Sequence, residues 1–176
     1  MKAVSFILNG KRIACEVRDN ETLLSTLRDR LAIMSVKEGC SIGECGVCTV
    51  LIDDEPHYSC LTLASKVEGR DVKTVEFLGA EHALHPLQES FIRRGAVQCG
   101  YCTPGMLLVA YSLLLKKPNA TEGEIREAIS GNLCRCTGYI QIIEAVKEAA
   151  AAGCTGLGPD KDRPRGDERC CPNSRV

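Results

Sequence analysis

Residues 39–48 of the chain are Gly39-Cys40-Ser41-Ile42-Gly43-Glu44-Cys45-Gly46-Val47-Cys48. Three cysteines this close together force the backbone to curl around whatever their sulfur atoms bind. The interleaved glycines supply the backbone angles that such a curl requires. A curled loop also turns several N–H groups inward, where they can donate to bound sulfur atoms and offset the negative charge of thiolates. The stretch therefore predicts a metal-binding loop.

The spacing of the cysteines favours one class of metal site. They follow the pattern C-x4-C-x2-C, and a fourth cysteine comes after eleven further residues. This arrangement is typical of the plant-type 2Fe–2S loop, in which one loop holds three thiolates and a later segment holds the fourth. Structural zinc sites usually pair two C-x2-C motifs instead, and disulfides are uncommon in a chain without a secretory signal. The ligands predicted for a first 2Fe–2S cluster are Cys40, Cys45, Cys48 and Cys60.

The bulk composition limits the classes of function. The chain has 176 residues, of which 22 are basic and 23 acidic, with a formal net charge of −1. That balance does not favour nucleic acid or an anionic membrane as a partner. No apolar run is long enough to span a bilayer, and we expect a cytoplasmic protein. Twelve cysteines in such a chain indicate metal ligation rather than disulfides.

The first half of the chain alternates as short strands do. The predicted elements are a hairpin at residues 4–8 and 13–17, a helix at 21–31, and strands at 49–52 and 71–75. Asn9-Gly10 is a strong signal for a two-residue hairpin turn, and Cys15 falls on the inward alternation, where a buried thiol is expected. Pro56 excludes a central strand at its position. A small mixed sheet with one covering helix matches the β-grasp arrangement of plant-type ferredoxins.

Beyond residue 79 the apolar period changes from 2 to 3.6, which predicts helices. One ends at Gly95, a second begins at a Thr103 N-cap, a third begins at a Thr121 capping box, and a fourth extends to about Ala151. Four helices with short connections predict an α-bundle. We therefore expect an α+β chain, with a ferredoxin-like domain at residues 1–78 and a helical domain at 79–152.

The last segment has a different composition. Residues 153–176 are rich in glycine, proline and charged residues and have no apolar period, which predicts a disordered tail. The tail contains Cys154, Cys170 and Cys171, which we expect to be unligated. The histidines at positions 57, 82 and 85 fall in predicted turn or linker positions. We expect them to be solvated and without a catalytic role.

A second set of four cysteines lies in the predicted helical half. Cys99 and Cys102 form a C-x2-C pair, and Cys134 and Cys136 form a C-x-C pair. Each pair lies at a predicted helix boundary, where free N–H groups and the helix dipole favour thiolates. Two such pairs can supply four ligands if they meet across the bundle. By spacing alone, a second 2Fe–2S cluster and a zinc site remain equally open.

The segments around the cysteines resemble a known family. Residues 98–106, Gln-Cys-Gly-Tyr-Cys-Thr-Pro-Gly-Met, and residues 131–139, Gly-Asn-Leu-Cys-Arg-Cys-Thr-Gly-Tyr, are similar to two signatures of the iron–sulfur subunit of molybdenum hydroxylases. Residues 39–50 resemble the N-terminal motif of the same family. This is the xanthine dehydrogenase family, which includes aldehyde oxidoreductases, carbon monoxide dehydrogenases and nicotinate dehydrogenases. The resemblance covers residues 3–150 and holds at every ligand position.

The resemblance implies roles for individual residues. The cluster nearer the flavin would be held by Cys40, Cys45, Cys48 and Cys60, and the cluster nearer the molybdenum cofactor by Cys99, Cys102, Cys134 and Cys136. Gln98 would hydrogen-bond the pterin of that cofactor, and Cys136 would lie beside the pterin amino group. The implied partners are a molybdopterin-binding large subunit and an FAD-binding medium subunit, assembled as a heterotrimer or a dimer of heterotrimers.

These expectations make the chain an electron-transfer subunit, with the substrate-oxidising centre on a partner chain and no catalytic residue of its own. Two alternatives belong to other classes of function. One is a zinc-stabilised adaptor module, which colour would distinguish, since zinc–thiolate proteins are colourless and 2Fe–2S proteins are red-brown. The other is an iron–sulfur redox sensor that responds by losing its clusters, which would usually need an output domain.

Overall fold

The first half of the chain forms a five-stranded mixed sheet in the computed structural model, which describes residues 1–79 and 83–153. The strands are β1 (Lys2–Leu8), β2 (Lys11–Val17), β3 (Thr49–Ile52), β4 (Glu55–Tyr58) and β5 (Asp71–Lys73). Their order is β2-β1-β5-β3-β4, with β1 and β5 parallel and the other neighbours antiparallel. The predicted tail beyond Gly153, with its three cysteines, lies outside the described residues, as does His82.

The hairpin follows the sequence prediction, and β4, a strand that was not predicted, agrees with the exclusion of a central strand at Pro56. Asn9 and Gly10 have φ angles of 50° and 79°, as a tight hairpin turn requires. Pro56 lies in β4, which is an edge strand, so its missing N–H leaves no ladder hydrogen bond unmade. The final predicted strand, β5, is central, because it pairs with β1 on one side and with β3 on the other. Cys15 is only partly buried against the core of the sheet.

A short helix covers one face of the sheet. Helix α1 (Leu23–Ser25) begins at Thr22, whose hydroxyl accepts the N–H of Ser25 at 3.2 Å. It continues as a π-helical turn at Thr26–Arg30, which differs from the single α-helix predicted over residues 21–31. The leucines that this segment buries against the sheet are Leu23, Leu24 and Leu27. The predicted apolar face is therefore present. The α-helix is shorter than predicted, and its continuation is a π-helical turn, which is wider than an α-helix.

Residues 83–153 form four helices that pack on one another. They are α2 (Pro86–Arg93), α3 (Thr103–Lys116), α4 (Glu122–Ile129) and α5 (Ile140–Ala151). The closest helix pairs are α2 with α5 and α3 with α4. Thr121 and Glu124 form the predicted capping box at the start of α4. The predicted α+β architecture is thus confirmed, and none of the described helices combines the length and the apolar character needed to cross a membrane.

His85 corrects one expectation. Its side chain is only 5% exposed, whereas the sequence predicted a solvated linker residue. The ring Nδ1 accepts the N–H of Leu87 at 3.2 Å, and the backbone N–H of His85 donates to Gln88 at 2.8 Å. His85 is therefore the N-cap of α2, a position for which Ser, Thr, Asp or Asn is the usual signal. His57 is exposed on β4, as expected.

The two halves of the chain pack directly against each other. Val47 and Leu51, from the cysteine loop and from β3, belong to the hydrophobic core that the helices build. Ser112 of α3 donates to the carbonyl of Asp54 at 2.7 Å, across the same boundary. Because α3 lies against β3, the residues that precede β3 are brought close to the helical half.

Candidate metal centres

The first cysteine loop needs glycine both for its conformation and for space. Gly43 and Gly46 have φ angles of 82° and 68°, in the left-handed region that favours glycine. A Cβ added at Gly43 would lie 2.5 Å from Cδ1 of Leu61, and one added at Gly46 would lie 2.2 Å from the carbonyl oxygen of Gly131. The loop therefore curls as predicted and lies against a neighbouring backbone segment.

Backbone N–H groups of this loop point at the sulfur of Cys40. The N–H groups of Glu44 and Cys45 each lie 3.4 Å from Cys40 Sγ. Donation from the Ile42 N–H, followed by that from Cys45, lowers the pKa of the Cys40 thiol to about 6. Such donors stabilise the thiolate, which is the form that binds metal. The inward N–H groups expected from the sequence are present.

Cys60 meets the first loop as the expected fourth cysteine. Its thiol contacts that of Cys48, and both residues are buried. Burial, with a further contribution from Cys48, raises the pKa of Cys60 to about 11. The metal-free thiol is therefore protonated at neutral pH, and ligation of a metal would release that proton. Cys40 likewise contacts Cys45, so the four cysteines form two sulfur pairs.

The second set of cysteines also forms two pairs. Cys102 is the N-cap of α3, so the helix begins one residue before the position expected from a Thr103 N-cap. Its thiol contacts that of Cys134, and burial raises the pKa of Cys102 to about 12. The sulfur atoms of Cys99 and Cys136 lie 3.6 Å apart. Two segments far apart in the sequence are thus brought together with all four predicted cysteines.

Two residues of the second site were missed by the sequence analysis. Oγ1 of Thr137 lies 3.1 Å from Sγ of Cys134 and accepts the N–H of Tyr139 at 3.1 Å. The hydroxyl of Tyr139 accepts the N–H of Cys134 at 2.9 Å. Burial alone would raise the pKa of Cys134, but hydrogen bonds, first those from Thr137 and then those from Cys136 and Cys102, together lower it. The sequence signal that could have indicated a turn here was the glycine at position 138, which has a φ of 61° in the structure.

The two sites differ in exposure to solvent. Cys48, Cys60 and Cys102 are buried, whereas Cys99 and Cys136 are exposed. Gln98, predicted to contact a cofactor, is also exposed. Exposed apolar side chains flank the second site along the chain, at Val97, Tyr101, Leu133 and Ile140. The second site therefore opens to the surface through one of its two sulfur pairs.

The sulfur pairs suit a binuclear centre. In residues 1–79 and 83–153, no group of three or more His, Cys, Asp or Glu side chains is placed as the ligands of a metal ion. The nine cysteines in these ranges are all free of disulfides. A 2Fe–2S cluster takes two thiolates on each of its two irons. Two contacting sulfur pairs at each site, with N–H and hydroxyl groups directed at them, fit that requirement.

Comparisons with known proteins agree with this geometry. Residues 6–76 match the family described as 2Fe-2S iron-sulfur cluster binding domain, and residues 74–147 match the family described as 2Fe-2S binding domain. The two matches follow one another along the chain and include both sets of cysteines. Two domains that bind 2Fe–2S clusters are therefore present.

Similar proteins cover most of the chain. It is 47% identical over 146 residues to the nicotinate dehydrogenase small FeS subunit of Eubacterium barkeri, a match to 83% of this chain and 93% of the relative. It is 49% identical over 142 residues to the nicotine 6-hydroxylase small subunit of Paenarthrobacter nicotinovorans, covering 81% and 86% of the two chains. A chain of quinoline 2-oxidoreductase from Pseudomonas putida 86 superposes with a TM-score of 0.81 at 46% identity, covering 86% of this chain and 97% of that one. The chain therefore belongs to the iron–sulfur small subunits of the xanthine dehydrogenase, or molybdenum hydroxylase, family.

Proposed function

We propose that this chain relays electrons from the molybdopterin centre of a large subunit, through two 2Fe–2S clusters, to FAD. The family of small FeS subunits and the two cluster-binding domains support the electron-transfer role, and they do not favour the zinc adaptor or the redox sensor. The observation that carries the proposal is the meeting of eight cysteines in two sites of two sulfur pairs. Bound 2Fe–2S clusters supply one-electron chemistry, while the protein supplies placement and tuning.

The ligands are assigned from these pairs. The proposed ligands of the N-terminal cluster are Cys40, Cys45, Cys48 and Cys60, and those of the helical-domain cluster are Cys99, Cys102, Cys134 and Cys136. Hydrogen bonds to Cys40 and Cys134 would offset the negative charge of the thiolates, and burial of Cys102 and Cys60 keeps water away from one side of each site. No residue of this chain is proposed to act as a catalytic acid, base or nucleophile.

The exposed side of the second site is proposed to meet the molybdopterin of the large subunit. The amide of Gln98 can both donate and accept hydrogen bonds, as the edge of a pterin ring requires. Cys136 is exposed in the same site and would lie beside the pterin amino group. Leu133 and Ile140 are 54% and 65% exposed, and contact with the large subunit would cover this apolar surface.

The first site is proposed to face an FAD-binding medium subunit, in a heterotrimer or a dimer of heterotrimers. Ile42 and Leu61, each close in sequence to a proposed ligand, are 70% and 62% exposed. Their contact with a partner would cover apolar surface next to the cluster. We also propose a cytoplasmic location, where the ligand thiols stay reduced until iron is inserted.

The division into domains at residues 1–78 and 79–152 is likewise a proposal. Separate hydrophobic cores under the sheet and among the helices support it. Leu78 packs in the helical core, so the boundary side chains already belong to the second unit.

The test of the proposed function is the metal content of the chain. We expect about four iron atoms and about four acid-labile sulfides per chain, because each 2Fe–2S cluster contributes two of each. Anaerobic purification followed by iron, sulfide and zinc analysis measures this directly. Stoichiometric zinc without iron would exclude the proposal, and about two irons per chain would exclude one of the two sites.

Thr137→Val is expected to lower the reduction potential of the helical-domain cluster. When Cys134 binds metal as a thiolate, the hydroxyl of Thr137 must be the donor across their 3.1 Å contact. That hydrogen bond stabilises the more negative, reduced state, and losing about 1 kcal/mol of it corresponds to a shift of about −40 mV for one electron. A redox titration followed by electron paramagnetic resonance measures the potential of each cluster.

Thr26→Val is the matched control for that change. Thr26 is also buried, and its hydroxyl bonds to Glu21 and to the Thr22 carbonyl, in the segment that covers the sheet. We expect both potentials of the control to equal those of the parent. An unchanged potential in Thr137→Val would show that its hydroxyl does not tune the cluster.

A further inference from the structure

The two cysteine loops touch at their backbones. The N–H of Leu133 donates to the carbonyl of Cys45 at 2.9 Å. Leu133 immediately precedes Cys134, so a single hydrogen bond joins a proposed ligand residue of one site to the neighbour of a proposed ligand of the other. The loops belong to different halves of the chain, and contacts between those halves must therefore hold this hydrogen bond in place.

Asn132 is the central residue of this contact. Its side chain is 2% exposed, and its Nδ2 donates to the carbonyl of Gly46 at 2.8 Å and to the hydroxyl of Thr49 at 3.2 Å. The Thr49 hydroxyl in turn donates to the same Gly46 carbonyl at 2.6 Å. The amide nitrogen of Asn132 is thus bound both to the first loop and to the start of β3. A buried amide with these partners fixes the loop strongly, because breaking the bonds would leave polar groups without water.

Tyr58 makes a second hydrogen bond between the two halves of the chain, next to those of Asn132. Its hydroxyl donates to the carbonyl of Gly131 at 2.8 Å, directly before Asn132. A Cβ at Gly131 would lie 2.4 Å from that hydroxyl, and a Cβ at Gly105 would lie 2.9 Å from Nδ2 of Asn132. Glycine at these positions lets the two loops approach without intervening side chains.

We propose that Asn132 and Tyr58 are positioning residues for electron exchange between the two clusters. They clamp the loop of Cys45 against the loop of Cys134 and so fix the separation of the two metal sites. With clusters bound, the exchange would move one electron, so that one cluster would be oxidised as the other is reduced, and no atom would be transferred. Its rate therefore depends on how close and how rigidly the two sites are held. The inference rests on the proposed function, because it requires that both sites hold clusters.

The test compares Asn132→Ala with Ser112→Ala in the assembled enzyme. Ser112 is a matched control, because it is also 2% exposed and also bonds across the boundary between the halves, but to Asp54 in the β3–β4 turn. With both clusters reduced, electron paramagnetic resonance measures the magnetic interaction between them, which weakens with distance. We expect Asn132→Ala to weaken this interaction, or to broaden the distribution of its strength. We expect Ser112→Ala to retain the parental value. An unchanged interaction in Asn132→Ala would overturn the proposal.

Hydrogen exchange provides a second measurement that does not depend on the spectra of the clusters. The Leu133 amide is expected to exchange about ten to a hundred times faster in Asn132→Ala, because the buried bonds that hold it are lost. In Ser112→Ala the same amide should exchange at the parental rate. Equal acceleration in both variants would indicate general loosening of the boundary, and would count against a specific clamp.

Tyr58→Phe keeps the test decisive if Asn132→Ala does not assemble with full iron. It removes only one hydroxyl and retains the ring, so folding and iron content should match the parent, with a smaller change in the magnetic interaction. A parental interaction and parental Leu133 exchange in Tyr58→Phe would then reject the clamp. Failure of the proposed function has a different signature, since the parent itself would lack the signals of two clusters.

Discussion

Cys45→Ser is expected to lower the iron content from about four atoms per chain to about two, and Cys134→Ser is expected to do the same at the other site. A serine hydroxyl is a harder and far less acidic ligand than a thiol, so it binds iron poorly in this setting. Each variant breaks one contacting sulfur pair, with Cys40 or with Cys102. Iron analysis together with electron paramagnetic resonance shows which of the two signals is lost.

Cys15→Ser is the control for both changes. Cys15 is a free, partly buried thiol in β2 that packs against the core of the sheet and belongs to neither sulfur set. Its variant should retain about four irons per chain and both signals. The ligand assignment would be wrong if Cys45→Ser kept its full iron, or if Cys15→Ser lost one cluster.

Gly46→Ala is expected to destabilise the chain by about 3–5 kcal/mol, through backbone strain and collision acting together. The φ of 68° is unfavourable for alanine, and the new Cβ would lie 2.2 Å from the Gly131 carbonyl oxygen and 2.9 Å from Cα of Asn132. Both neighbours are backbone atoms, so neither can rotate away as a side chain would. Thermal unfolding of the iron-loaded chain, with iron analysis of the same sample, measures the loss.

Gly69→Ala separates the two causes. Its φ of 71° imposes nearly the same strain as at Gly46, but an added Cβ meets nothing within 4 Å. We expect Gly69→Ala to lower the free energy of unfolding by about 1–2 kcal/mol, from strain alone, and to retain its full iron content. Equal losses of stability in the two variants would show that the loops do not pack as closely as the structure indicates.

Much of the fold follows from local patterns in the chain. The Asn9-Gly10 turn, the buried strand at 49–52 and the Thr121 capping box are each set by residues within a few positions of one another. The first residues of helices are less well determined by local sequence, because several residue types can act as an N-cap. Thus α3 begins after Cys102 rather than at a Thr103 cap, and α2 begins at His85, whose buried ring replaces the usual hydroxyl or carboxylate.

Other features of the two candidate sites depend on contacts between residues that are remote in sequence. The cysteine spacing indicates four ligands in each half, because a curled loop and a helix start place neighbouring sulfur atoms close together whatever surrounds them. The pairing of thiols at the second site joins segments on either side of α3 and α4, and the bonds that link Asn132 and Tyr58 to the opposite half depend on the packing of the two halves. Local spacing thus predicts the candidate donor atoms at both sites and favours a 2Fe–2S cluster at the first, while at the second it leaves a 2Fe–2S cluster and zinc equally open. The separation of the two sites is set only when the two cores meet, because the bonds from Asn132 and Tyr58 join segments more than seventy residues apart.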